Sequence, residues 1–172
     1  MKLSRIIEGL DFDELFGKND KDRPQIISVG EPQQIDYTLE LYRGFDVNLD
    51  KLEKRGKYYI LSPKRSEQGL IWFTHKLIQG YDPIEYVQGR GSYILTYPLQ
   101  CVRHIQTVQW SDGSSSTKIP QEILDATEPT ENGRYHMGIE LPPGWVFSYK
   151  YEKFIGCSIE LQITPDMLTP QK

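Results

Sequence analysis

The sequence predicts an α+β fold, mostly antiparallel β, with two small sheets around a cleft and a few short helices. Three observations predict it. Helical spacing is confined to the first residues and a few short stretches, whereas strand-like runs fill most of the remainder. Those runs are short and are separated by Gly, Pro and charged turns. Aromatic residues are plentiful, with 11 Tyr and 3 Trp in 172 residues, and such side chains favour strands and line ligand clefts. The length fits a single domain over 1–172, with a helical segment over 1–24 and a β-rich core over 25–172.

Each element has its own signal. Leu3, Ile6, Ile7, Leu10, Phe12, Leu15 and Phe16 fall near helical spacing, and a polar loop follows at 17–24. QIISV (25–29) reads as a strand, and YTLELYRGF (37–45) alternates Leu39 and Leu41 with Glu40 and Tyr42. NLDKLEKRG (48–56) has a helical look with a glycine stop. KYYILS (57–62) and GLIWFTH (69–75) are strands around a charged turn. Asp82-Pro83 opens a short helix, with Asp as cap and Pro in the first turn, and Gly89-Arg90-Gly91 ends it. SYILTYPLQ (92–100) and VRHIQTVQW (102–110) read as two strands, SDGSSST (111–117) as an exposed, mobile hairpin tip, and 119–126 as a helix. Two short strands flank Pro142-Pro143-Gly144, and one or two more lie in 150–164.

Composition narrows the function classes. A net charge of −4 argues against a broad electrostatic grip on nucleic acid. No run approaches the ~20 apolar residues of a membrane span. The start MKLSRIIEGLDFDELF has acids among its apolar residues and lacks the apolar core of a signal peptide, so the expected location is cytoplasmic, with Cys101 and Cys157 as reduced, buried thiols. Phosphate-binding glycine loops are absent, and His75, His104 and His136 have no metal-ligand spacing, so no metal is expected.

LYRGF (41–45), GLIWFTH (69–75) and GIELPPG (138–144) together resemble the ADP-ribosyltransferase fold, and the MKLSRIIE start gives a phage-like impression. The resemblance covers about 37–164. It implies a mono-ADP-ribosyltransferase that takes NAD as substrate and modifies a macromolecular acceptor, protein or nucleic acid, in the cytoplasm, or in a host's cytoplasm for a phage-encoded member. It implies Glu140 or Glu152 as the catalytic carboxylate. It also implies an NAD site made by Arg43, Gly44, Phe73, Thr74, His75, Tyr81, Tyr86 and Tyr93. The chemistry matches these types: an arginine fork holds pyrophosphate, tyrosines stack on nicotinamide, and a carboxylate stabilises the cation formed at the ribose. Glu131, Glu140, Glu152 and Glu160 each stand without the paired glutamate that many members carry.

Two other classes compete. One is a non-catalytic interaction, inhibitor or virion-associated protein with an aromatic-rich β surface. The other is a nucleic-acid-binding β domain using Arg90, Arg103, His104 and interleaved tyrosines.

Overall fold

In the computed structural model, which describes residues 23–46, 48–63, 69–126, 133–148 and 151–171, strands make up 50% of the described residues and helices of all kinds 13%. That corrects the expected α+β fold. The described α-helices are α1 (Pro83–Val87) and α2 (Gln121–Ala126), of five and six residues. The expected N-terminal helical segment lies outside the described residues. NLDKLEKRG is not helical: a 3-10 turn at Leu49–Lys51 is capped by the Asn48 side chain, and strand β3 (Lys54–Arg55) follows. Its Leu49 and Leu52 are too few to cover an apolar stripe, so nothing holds a longer helix to a core.

The chain divides into two units. The second holds the described residues of 37–101, 129–134 and 141–172. In it, the strand path runs β10 (Trp145–Phe147), β11 (Phe154–Cys157), β5 (Ile71–His75), the part of β2 (Gln33–Phe45) from Tyr37 onward, and the part of β6 (Tyr93–Trp110) up to Cys101, with β13 (Leu168–Pro170) also on β6. A separate small sheet has the order β12 (Leu161–Ile163), β4 (Tyr58–Leu61), β3. One extended antiparallel path beside a three-stranded sheet replaces the expected pair of small sheets around a cleft. Leu39 and Leu41 of β2 are buried as the alternation requires, and they pack in a core with Phe73, Leu95, Ile155 and Ile163. Phe73, Tyr97 and Trp145 form an aromatic cluster with centroids 5.6–6.2 Å apart.

The first unit holds the described residues of 1–36, 102–128 and 135–140. The later half of β6 pairs there with β1 (Ile26–Val29), β7 (Ser115–Lys118) and β9 (Ile139–Glu140), and β9 pairs with β8 (Tyr135–His136). Val108 and Trp110 make a small core with Ile26, and Trp110 Nε1 donates to Ser116 Oγ at 2.9 Å. Met137 (φ 54°) and Gly138 (φ 78°) form the two-residue β8–β9 turn, whose paired positive φ angles match the twist of a tight hairpin. The loop expected to be mobile over 111–117 is half strand, because Ser115–Lys118 pair with β6. Its tip is tied by Asp112, whose carboxylate accepts from Ser114 N and Oγ and is held below its usual range by those bonds.

Cys101 and Cys157 are free and buried, and burial pushes each thiol up to about 11. No described helix is long and apolar enough to cross a membrane.

Candidate functional site

The described pocket of the second unit has a volume of about 210 Å³ and is lined by Tyr42, Arg43, Gly44, Trp72, Phe73, Thr74, Tyr86, Val87, Arg90 and Phe154. Three neighbouring strands build its floor. Tyr42 of β2 sits opposite Thr74 of β5, and Thr74 sits opposite Phe154 of β11. The wall comes from α1 and the turn after it. Asp82 caps that helix by accepting from Ile84 N at 2.9 Å, and Pro83 stands in its first turn.

Both arginines are aimed by the backbone. Arg43 Nη1 donates to Trp72 O at 2.9 Å, which orients the guanidinium along β5. Arg90 Nε donates to Tyr86 O at 2.8 Å, and its Cζ lies 4.4 Å from the Tyr86 ring centroid. Gly44 explains how they come together. A Cβ there would collide with the Arg90 carbonyl oxygen and stand 2.7 Å from Arg90 Cβ, so only glycine lets the turn after α1 close on β2. Gly44 was expected to admit a ligand; it admits the Arg90 backbone.

Five of the residues implied by the resemblance, Arg43, Gly44, Phe73, Thr74 and Tyr86, line this one pocket. Thr74 also bonds to its neighbours, and His75, Tyr81 and Tyr93 do different work. Thr74, 1% exposed, donates Oγ1 to Lys153 O at 2.9 Å, so Tyr81 OH is the donor in its 2.6 Å bond to Thr74 Oγ1. Burial raises the Tyr81 phenol. His75 is fully buried. Its Nδ1 accepts from Leu77 N at 3.1 Å, which leaves the proton on Nε2 for Glu152 O at 2.7 Å. His75 therefore fastens a turn. Tyr93 lies on β6 opposite Pro170 of β13, and its carbonyl accepts from Gln171 Nε2 at 3.0 Å.

The two glutamates also differ from expectation. Glu152 offers its backbone carbonyl to His75, and the residue is exposed. Glu140 belongs to the first unit, where its Oε1 lies 2.9 Å from His104 Nε2 and His104 packs 6.1 Å from the Tyr135 ring. Among the described residues, no carboxylate lines the pocket and no group of His, Cys, Asp or Glu could hold a metal ion.

Several residues of the site escaped the sequence reading. Trp72 was seen only as part of a strand, and Arg90 as the middle of a helix stop and as a candidate nucleic-acid contact. Phe154 and Lys153 come from a late segment with no motif. Lys153 Nζ stands 4.7 Å from the Tyr86 ring, and Phe154 meets Tyr86 edge to face at 5.5 Å. The Gly89-Arg90-Gly91 triplet was the one signal that could have directed attention to Arg90, since a cation between glycines has its backbone free to approach other chain.

No protein-family model, curated protein or solved structure matches this chain.

Proposed function

We propose that this chain is a non-catalytic binding protein whose second unit takes an anionic, ring-bearing ligand of the nucleotide class. One observation carries the reading: Arg43 and Arg90 share a pocket with Tyr42, Trp72, Tyr86 and Phe154, and no carboxylate lines it among the described residues. Arginine forks suit phosphate, and aromatic rings suit a base. The size sets the scale. Pockets that enclose whole drug-sized ligands run roughly 300–1,000 Å³. A volume of about 210 Å³ suits one phosphate with its adjoining ring or sugar, so a dinucleotide would keep its far half outside. A cytoplasmic location belongs to the same reading, because free thiols are kept reduced there.

Titration calorimetry with AMP and NAD tests it. Wild type binds AMP, and Arg43→Ala and Arg90→Ala each weaken binding by about tenfold or more, the effect of losing a charge-assisted hydrogen bond. A folded wild type that binds neither nucleotide at millimolar concentration overturns the reading.

A second reading, ADP-ribosyl transfer from NAD to a macromolecular acceptor, is favoured by the gathering of five residues implied by the resemblance in one pocket. It requires a carboxylate at the ribose, for which Glu152 is the candidate on this unit. Nicotinamide release by wild type with the ADP-ribosyl group recovered on a macromolecular acceptor, both abolished in Glu152→Gln, would establish transfer; their absence leaves the binding reading.

A further inference from the structure

Tyr86 has two cations on one ring. Arg90 Cζ stands 4.4 Å and Lys153 Nζ 4.7 Å from its centroid. Lys153 Nζ also lies 5.5 Å from the centroids of Tyr81 and Phe154. Arg43 lines the same pocket as Tyr86. Cation–π attraction holds each charge only modestly at a partly exposed site, and like charges around one ring repel one another. A carboxylate would ordinarily offset that repulsion, and none lines the pocket among the described residues.

Donors remain as well. Arg90 spends Nε on Tyr86 O, and its two terminal nitrogens have no acceptor among the described residues. Lys153 is fixed through its carbonyl, which accepts from Thr74, while its ammonium meets only rings among the described residues. The carbonyl of the residue before it is fixed by His75. Main-chain bonds from two buried side chains thus hold the backbone from which this ammonium reaches the aromatic wall.

We propose that Lys153, which stands beside the pocket against two of its lining rings, Tyr86 and Phe154, serves as its third cation and makes it selective for a nucleotide with a terminal phosphate monoester over one whose phosphate is a diester. The inference rests on the nucleotide reading above and names the kind of phosphate. A monoester carries about −1.5 to −2 at neutral pH and presents three terminal oxygens. A diester carries a single charge. Arg90 and Lys153 together carry more positive charge than a diester can balance, and they supply donors for more than two oxygens.

The test is calorimetry on the full chain with AMP and with the methyl ester of AMP, which differ only in whether the phosphate is a monoester. Wild type is expected to bind AMP about tenfold or more tightly than its methyl ester. Lys153→Met, which keeps an unbranched apolar stem against the rings, is expected to lower AMP affinity about tenfold and to leave the ester within about threefold. Lys153→Arg restores the preference. Between pH 7.5 and pH 5.5 AMP gains a proton, because its second pKa is about 6, so its affinity falls in that interval while that of the ester stays level. Equal binding of AMP and its methyl ester to wild type overturns this inference and leaves the nucleotide reading standing. Failure of both to bind overturns the nucleotide reading itself.

Discussion

The hairpin that carries Glu140 and the turn that carries Glu152 use the same residue in opposite ways. On β9, Glu140 works through its side chain, with Oε1 2.9 Å from His104 Nε2 in a pair that is 21% and 8% exposed. In the turn before β11, Glu152 works through its main chain, and its carbonyl accepts from His75. One position is specified by residue type and the other by backbone path. A carboxylate at 140 can be replaced only at the cost of its partner, whereas the side chain at 152 is replaceable while His75 remains.

The largest effect should come from the clasp. His75→Ala removes a fully buried ring, leaves Leu77 N and Glu152 O without their partner, and opens a cavity. The expected loss is about 3 kcal/mol in chemical denaturation. A loss under about 1 kcal/mol would break the comparison, since the turn would then be held by something else. Glu140→Ala comes next. It strips the acceptor from a buried histidine and should cost about 2 kcal/mol, read in the same way. Thr74→Val keeps the shape and loses the hydroxyl that joins Lys153 O and Tyr81 OH, for about 1 kcal/mol. The smallest effect is Glu152→Gln, which should leave stability within about 0.5 kcal/mol and AMP binding unchanged. A larger change on either readout would give the Glu152 carboxylate a role like that of Glu140.

The parts of the fold legible in the sequence were those with local causes. Leu39 and Leu41 alternate and are buried; Asp82-Pro83 caps and starts α1; the polar run at 111–117 closes a hairpin, although its second half is strand. Longer-range arrangements were not legible. Residues 92–100 and 102–110 read as two strands, yet β6 runs unbroken over 18 residues, because Pro98 sits at an exposed position of the strand and does not interrupt it. The short late strands, including β13, exist through pairing with β6 and other strands, and no propensity announces that.

The candidate site divides along the same line. Arg43 and Thr74 were visible as a cation and a hydroxyl at strand ends, and both reach the pocket. Arg90 was not visible as a partner of Arg43, because what joins them is the missing side chain of Gly44 forty-odd residues earlier in the chain. The acceptors of His75 and Thr74 were invisible for a stronger reason. They are the carbonyls of Glu152 and Lys153, groups that every residue carries.

The buried imidazole has a kinetic consequence. The His75 Nε2 proton is locked between a ring with no solvent exposure and a carbonyl 2.7 Å away, so it can exchange with solvent only when the turn lifts off. Its exchange rate in a proton NMR spectrum is therefore a clock for local opening of the Glu152–Lys153 turn, separate from the global unfolding reported by the amides of β5 and β11. The same opening loosens the backbone that carries Lys153, so one slowly exchanging proton times how often the Tyr86 ring can lose one of its two cations.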